Sequence, residues 1–178
     1  SYYAPSLFLD SEQRPCLSFW MRGVADLAAG WASAHSIPHL LSLQGDRLVA
    51  TPHPDIERYH QQPEIGAPSV TAQAVDIAWN PGVDGNLNIS RGSQPIASVC
   101  CTQTDITIQV GKSVWTMPRG DRLRIVIDGP VLELATAGAN FGTAIPTPDG
   151  ELSFRTRGAA PKIRTLINPA RRYSREDS

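Results

Sequence analysis

The sequence predicts an all-β fold, a β-sandwich of two antiparallel sheets preceded by further hairpin strands. Helical signals are scarce, and 15 prolines and 14 glycines interrupt the 178 residues at short intervals. Between these residues the apolar side chains recur with period two, as in half-buried strands. Many short strands with turns between them are typical of sandwiches and barrels.

The first 60 residues are predicted to form two hairpins and a short helix. Apolar runs at residues 6–9 and 16–21 flank a polar, turn-forming stretch. Residues 37–43 and 47–50 flank a Gly-Asp pair, which favours a tight turn. Residues 54–61 begin with a proline followed by acidic residues, the pattern of a helix N-terminus.

From residue 70 onward the pattern is uniformly β. Val75, Ile77 and Trp79 fall on one face of a strand, and Leu123, Ile125 and Ile127 fall on one face of another. Further strands are predicted at residues 87–89, 96–101, 104–110, 113–117, 131–136, 141–145, 152–156 and 163–167. Because the composition changes at residues 61–69, we predict a first unit at 1–60, a linker at 61–69 and a sandwich domain at 70–178.

The composition indicates a soluble globular protein, cytoplasmic or secreted. The apolar fraction is 41%, the charged fraction 19% and the formal net charge −1, so no global field would draw the chain to nucleic acid or a membrane. No apolar run reaches the roughly 20 residues that span a bilayer. Basic residues accumulate toward the end of the chain and are interpreted as a solvated strand edge and tail.

No metal or cofactor site is predicted. The odd number of cysteines excludes a complete disulfide framework, and Cys16, Cys100 and Cys101 are expected to be small, partly buried free thiols. Four histidines lie between positions 35 and 60, but Pro38 prevents the first two from sharing a helical face. No cysteine or carboxylate pattern completes a zinc motif with these histidines. The sequence also has no P-loop and no dinucleotide-binding motif.

The sequence alone does not show which carboxylates could form a catalytic pair. A glycosidase needs two carboxyl groups in a defined geometry. Asp10 is expected in a turn, Asp55 and Glu57 at a helix start, and Asp128 and Glu133 on the exterior of a sheet. Each of them therefore has a structural explanation.

Four aromatic residues near the start of the chain suggest another kind of site. Tyr2, Tyr3, Trp20 and Trp31 carry rings that stack well on the apolar faces of sugars. The same residues are equally explained as part of a hydrophobic core.

Several motifs in series resemble the late part of glycoside hydrolase family 32 (GH32), the β-fructofuranosidases. The segments YYAPSLFLD, FWM, GWA and IPHLLSL come first, and LRIVID and VLEL follow later. Members of this family, which include invertases, sucrose-6-phosphate hydrolases, inulinases and levanases, show similar segments in this order. The family's Gln after Ala-Pro is Ser6 here, and its Arg-Glu is His39-Leu40. These departures leave the sugar specificity open, as well as the choice between hydrolase and fructosyltransferase.

The resemblance implies that residues 1–60 are the closing strands of a five-bladed β-propeller, followed by a C-terminal β-sandwich. In this family the nucleophile and the acid/base lie on earlier blades, in Asn-Asp-Pro-Asn-Gly, Arg-Asp-Pro and Glu-Cys motifs, and none of these occurs here. No catalytic residue is therefore expected in this chain. Tyr3, Trp20 and Trp31 are the candidates for the rim of a pocket for a β-fructoside such as sucrose, levan or inulin.

The resemblance also implies a partner. The expected partner is an upstream propeller segment or chain of the same enzyme, or a second copy of this chain, because sheet edges and apolar faces left open tend to associate. The alternative is a non-catalytic β-sandwich module that binds carbohydrate or a partner protein. A complete small hydrolase is disfavoured because no acid and nucleophile pair can be argued.

Overall fold

The computed structural model describes residues 2–27, 30–61 and 68–167. Within these residues the secondary structure consists of strands and one short 3-10 helix, and the strands form three antiparallel sheets. The predicted all-β class and the sandwich are confirmed. Nowhere in the described ranges does a helix have the length and hydrophobicity needed to cross a bilayer.

The first five strands form one sheet, which we call the front sheet. Its strands are β1 (Tyr2–Leu9), β2 (Pro15–Asp26), β3 (Trp31–His35), β4 (His39–Gln44) and β5 (Arg47–Pro52). The order is β1-β2-β4-β5, and β3 also pairs with β2. Both predicted hairpins are confirmed, whereas the strand β3 was not predicted. The predicted helix is the 3-10 helix Pro54–Tyr59, capped by the His53 side chain, which accepts from the Asp55 N–H.

Two sheets form the sandwich. The strands are β6 (Ser69–Val70), β7 (Ala74–Trp79), β8 (Asn86–Arg91), β9 (Gln94–Cys101), β10 (Asp105–Val110), β11 (Ser113–Pro118), β12 (Leu123–Asp128), β13 (Val131–Ala135), β14 (Asn140–Ala144), β15 (Leu152–Arg157) and β16 (Lys162–Thr165). The six-stranded sheet has the order β11-β10-β9-β8-β15-β6, and the five-stranded sheet has the order β14-β13-β12-β7-β16. The short strand β6 was not predicted.

The core lies between the two sandwich sheets and follows the predicted alternation. Ile77 on β7, Ile89 on β8 and Ile125 on β12 are fully buried, and they belong to one continuous apolar cluster. A fully buried aliphatic side chain of this size contributes about 1.5–3 kcal/mol relative to exposure. The period-two pattern therefore identifies the inner faces of both sheets correctly.

The outer face of β13 is also covered, because the front sheet packs on it. All five residues of β13 are buried. Met21 and Val24 of β2 form a second apolar cluster with Val131. Glu133, which we expected on the exterior of a sheet, is only 3% exposed. That expectation was wrong because a second layer covers the strand.

Two further expectations concern the cysteines and the linker. The three cysteines are free as predicted, but Cys100 is exposed, whereas Cys16 and Cys101 are buried. Most of the predicted linker, residues 62–67, and most of the basic tail, residues 168–178, lie outside the described residues. The proposed boundary between units stays a prediction.

A glycine on β14 tests the packing of the front sheet on the sandwich. A Cβ placed on Gly142 would lie 2.5 Å from Tyr2 Cε1 and 2.9 Å from Met21 Cε, both in the front sheet. We expect Gly142→Ala to lower the free energy of unfolding by about 1–3 kcal/mol, because a well-packed contact must shift.

Gly138 supplies the matched control, because a Cβ there meets no atom within 4 Å. Gly138→Ala should change the unfolding free energy by no more than about 0.5 kcal/mol. Urea unfolding of both variants measures the difference. Equal effects of the two substitutions would contradict the described packing of the front sheet.

Candidate functional site

The three predicted rim aromatics are exposed on the front sheet. Tyr3 is 51% exposed, Trp20 38% and Trp31 37%. Tyr3 and Trp20 lie directly opposite each other on β1 and β2, with ring centroids 5.9 Å apart in an edge-to-face arrangement. The Arg22 guanidinium lies 5.0 Å from the centre of the Tyr3 ring. Two aromatic rings and a cation therefore form one exposed cluster.

Trp31 lies apart from this cluster. It begins β3 and pairs with Asp26, whereas Trp20 pairs with His35 at the other end of the same strand. Between these ends Ser33 has φ of 73°, which interrupts the regular strand. The structure thus brings together two of the three predicted residues.

Tyr2 belongs to the interior, the alternative explanation for the early aromatics. Its ring stacks on Phe19 at 4.5 Å and meets His39 edge-on at 6.0 Å. The adjacent residues Tyr2 and Tyr3 therefore have opposite environments, as expected for successive residues of a strand.

A buried carboxylate connects the front sheet to the sandwich. Glu133 Oε2 accepts a hydrogen bond from the Tyr2 hydroxyl at 2.6 Å, and Oε1 accepts one from the Ile37 N–H at 2.8 Å. Asn140 adds a second link by donating to the Ala50 carbonyl at 2.8 Å. Each of these bonds joins residues about 90 or more positions apart in the chain.

Burial perturbs the titration of this cluster. It raises the pKa of Glu133 to about 7, despite the hydrogen bonds from Tyr2 and Ile37, which favour the charged form. Burial and the nearby Glu133 charge raise the pKa of Tyr2. Burial lowers the pKa of His39 to about 4, so its imidazole is neutral at pH 7. Burial is therefore the first cause of all three shifts in pKa.

Asp10 organises the turn between β1 and β2. Its Oδ1 accepts from the N–H groups of Glu12 at 2.8 Å and Arg14 at 2.9 Å, while Oδ2 accepts from Arg14 Nε at 2.6 Å. Burial opposes ionisation, but hydrogen bonds from Arg14, His53 and Glu12 hold the pKa of Asp10 below its usual range. The predicted turn role of Asp10 is confirmed.

Asp10 is also part of the one group in the described ranges with the spacing of metal ligands. Ligand atoms of Asp10, Cys16 and His53 lie within 4.8 Å of one another. His53 Nε2 lies 3.0 Å from Asp10 Oδ2, and because Nδ1 accepts from the Asp55 N–H, the proton is on Nε2. The Arg14 guanidinium already contacts both Asp10 and His53, so a cation would meet a positive charge. We interpret the group as an ion-pair network.

Asp76 on β7 is held in a second buried network. Its carboxylate receives two hydrogen bonds from Arg124, at 2.9 and 2.5 Å, and lies 2.6 Å from His60 Nε2. Burial raises the pKa of Asp76, but Arg124 and His60 outweigh it, so the net shift is downward. This carboxylate ties the segment after the 3-10 helix to the sandwich.

A groove of about 480 Å³ opens where the front sheet meets the sandwich. Its walls are mostly apolar and include Phe8, Ile56 and Val126, and the carboxyl-bearing residues Asp55 and Asp128 also line it. Burial raises the pKa of Asp128. Apolar walls with few polar groups are typical of ligand pockets.

Sequence reasoning missed the Glu133 site. One signal was present, since Val126 and Val131 are apolar at positions that the alternation directs away from the core. Strands that are apolar on both faces are covered on both faces. A carboxylate between such positions is expected to be buried and hydrogen-bonded.

The comparisons with known proteins identify the fold. No family model matches the chain. The GH32 β-fructofuranosidase BmSUC1 of Bombyx mori matches with a TM-score of 0.74 and 18% identity over 94% of this chain and 41% of that one. A GH32 enzyme of Bifidobacterium adolescentis matches with a TM-score of 0.74 and 16% identity, over 94% and 32%. The sucrose-6-phosphate hydrolase of Lactobacillus gasseri matches with a TM-score of 0.71 and 13% identity, over 93% and 41%.

The chain thus spans less than half of each of these enzymes. A separate match of 44% identity, to the 2,3-bisphosphoglycerate-independent phosphoglycerate mutase of Saccharophagus degradans, covers 41 residues and 8% of that enzyme. So short a match carries no argument about the whole chain. The likeness to GH32 enzymes that the motifs indicated is confirmed at the level of the fold, over part of their length.

Glu133 generates a pH-dependent prediction. Its pKa is about 7 in the folded state against 4.5 as the reference value, so between these pH values the folded state binds more protons. Stability should therefore fall as pH rises from about 4.5 to 7, by up to about 3 kcal/mol for this group. Glu133→Gln should remove this component.

The comparison of variants at each pH isolates Glu133, because His39 contributes in the opposite direction between about pH 4 and 6.5 in both proteins. Urea unfolding at pH 5 and pH 8 measures the change. Glu151→Gln, which alters an exposed carboxylate bonded to Ser69 and Thr71, serves as the control. If Glu133→Gln has the same pH profile as the original chain, the buried carboxylate does not titrate in this range.

Proposed function

We propose that this chain is the C-terminal portion of a GH32-type enzyme acting on β-fructosides, with its catalytic carboxylates on an upstream segment or chain. The front sheet then supplies the closing strands of the catalytic propeller, and the sandwich braces it. The reaction of the whole enzyme retains anomeric configuration, with one carboxylate as nucleophile and another as acid and then base. The fold match over less than half of the GH32 enzymes supports the proposal.

The observation that carries the proposal is the exposed apolar surface of the front part of the chain. Of the twelve large apolar side chains exposed among the described residues, ten precede residue 60: Tyr3, Leu7, Phe8, Leu9, Trp20, Leu27, Trp31, Leu43, Leu48 and Tyr59. Within the described part of the sandwich, only Val83 and Val114 are of this kind. Eight of the ten lie on the front sheet, and exposed apolar side chains concentrated in this way mark an interaction site.

Sheet register gathers part of this surface. Leu43 and Leu48 are direct partners across β4 and β5 and are 72% and 69% exposed. Leu7 is 69% exposed opposite Leu17 on β2. In the strand order β1 and β5 are the outer strands, and a strand edge is a template for further pairing. The exposed face therefore suits the packing of another layer, and the outer strands suit pairing with further strands.

Three hydrogen-bonded carboxylates support a catalytic site located elsewhere. Asp10, Asp76 and Glu133 are each held by two or more donors in a structural role. A nucleophile must be free to attack and an acid must reach the leaving group. Within this chain, the proposed contribution to the substrate is the exposed cluster of Tyr3, Trp20 and Arg22. One neighbour, the Bombyx mori enzyme, is known in complex with sucrose.

Activity provides the first test. The purified chain should release no fructose from sucrose, inulin or levan, whereas co-expression with the polypeptide encoded directly upstream should give a complex that does. In that complex Trp20→Ala should raise KM, by about tenfold for one lost sugar–aromatic contact. Hydrolysis by the chain alone that Asp10→Asn abolishes would overturn the proposal.

Association provides the second test. Leu43→Ser should weaken binding of the upstream polypeptide, or self-association where that polypeptide is absent, by about tenfold, because an exposed apolar contact is removed. Val83→Ser, which alters a 65% exposed residue of the sandwich, is the matched control. Sedimentation velocity over a concentration series measures both. If the chain stays monomeric at high concentration and does not bind the upstream polypeptide, the proposed association is wrong.

The second candidate function is a sandwich module that binds carbohydrate without catalysis. A groove of about 680 Å³ on the six-stranded sheet favours it, with polar walls that include Asn88, Ser98, Gln109, Ser153 and Arg155. Titration with inulin and levan distinguishes the candidates. Loss of binding in Arg155→Ala but not in Trp20→Ala would favour the module.

A further inference from the structure

A groove of about 820 Å³ lies on the outer face of the five-stranded sheet, next to the 3-10 helix. Its volume is in the range of ligand pockets, about 300–1,000 Å³. The groove does not include the exposed cluster of Tyr3, Trp20 and Arg22. Four arginine and lysine side chains line it: Arg122, Arg124, Lys162 and Arg164.

The register of the strands places two of these cations on either side of a small residue. Ala78 on β7 pairs with Lys162 on β16 and with Arg124 on β12, so the three residues form one row across the sheet. Ala78 is exposed, whereas its neighbours Ile77 and Trp79 belong to the core, so the row is on the outer face. Two strand spacings, about 9–10 Å, separate the two cationic residues along this row. An anion above the alanine can therefore contact both side chains.

Asp76 fixes the orientation of the Arg124 guanidinium. Arg124 donates from Nε and Nη2 to the two carboxylate oxygens, at 2.9 and 2.5 Å. The carboxylate is itself held in place, because Asp76 is 5% exposed and its Oδ2 lies 2.6 Å from His60 Nε2. These bonds use two of the five N–H groups of the guanidinium. The Arg124 side chain is still 21% exposed, so its remaining donors can bond to a ligand in the groove.

Arg122 and Lys162 add positive charge that no carboxylate of the described ranges neutralises by an ion pair. Both residues are exposed. Arg122 comes directly before β12, and the alternation of side chains places it on the same face as Arg124. Donors from two strands of one sheet are therefore directed into the same groove.

The balance of charge in the groove is positive. The carboxylates of Glu57 and Asp76 also line it, so with His60 counted as neutral the four basic side chains leave an excess of two positive charges. The formal net charge of the whole chain is −1, so this excess is local. Clefts lined by one sign of charge concentrate the opposite ion. A phosphate monoester, with a charge of about −1.5 to −2 at pH 7, matches the excess.

We propose that this groove binds a phosphate group, with Arg122, Lys162 and the remaining N–H groups of Arg124 as donors. Guanidinium and ammonium groups form charge-assisted hydrogen bonds to phosphate oxygens. The phosphate belongs to a small phosphorylated molecule or is the free ion. The polar side chains of Thr51 and Asn80 also line the groove and can bond to hydroxyl groups of an ester. The site does not depend on the proposed function.

Isothermal titration calorimetry of the full chain in a phosphate-free buffer tests the site. Glucose 6-phosphate, added at constant ionic strength, should bind saturably and more weakly as the salt concentration rises, because exposed charges are screened. Glucose should not bind. Tighter binding of glucose 6-phosphate than of inorganic phosphate assigns the site to esters, and the reverse order assigns it to the free ion. If neither binds saturably at millimolar concentrations, or if glucose binds as well as its phosphate, the proposal is wrong.

Two substitutions of equal charge locate the binding. Lys162→Gln should weaken binding about tenfold, because one charge-assisted hydrogen bond is lost. Arg122→Gln, at a second exposed residue of the groove, should have a similar effect. Lys112→Gln is the matched control, since Lys112 is exposed in the turn between β10 and β11 of the other sandwich sheet, and it should keep the original affinity. Equal losses in Lys162→Gln and Lys112→Gln would overturn the proposal, because the effect would then come from net charge.

Discussion

The arrangement of this molecule depends on one buried carboxylate. Glu133 projects from a sandwich strand toward the front sheet, and its two oxygens accept from Tyr2 on β1 and from the Ile37 N–H just before β4. A buried carboxylate without donors would be costly, so the two hydrogen bonds favour the packing of the front sheet that supplies both donors. The apolar contacts among Met21, Val24 and Val131 add area but little directional specificity.

This junction covers one part of the front sheet and leaves another part exposed. One part of the sheet is buried on the sandwich, as the 0% exposure of Met21 and 1% exposure of His39 show. Further along, Leu7, Leu43 and Leu48 are mostly exposed. In the proposed enzyme, the upstream polypeptide covers the exposed part of this apolar face and pairs with the outer strands.

Two of the carboxylates, Asp10 and Asp76, have structural roles that make them unsuited to catalysis. Asp10 closes a hairpin turn with Arg14 and His53, and Asp76 joins Arg124 to His60. Such saturated carboxylates are poor nucleophiles because their lone pairs are already engaged. In the proposed enzyme, the exposed cluster of Tyr3 and Trp20 contacts the sugar, and the upstream part supplies the reacting groups.

The sequence by itself determined the all-β class, the two front hairpins, the inner faces of the sandwich and the likeness to GH32 enzymes. These features depend on period-two alternation, turn residues and short motifs, all of which are local. It also named Tyr3 and Trp20, which the structure brings together, although it could not place Trp31 relative to them. Only the tertiary structure decided the burial of Glu133 and the inward direction of Tyr2. The physical reason is that each depends on which surfaces meet, and Tyr2 and Glu133 lie 131 positions apart.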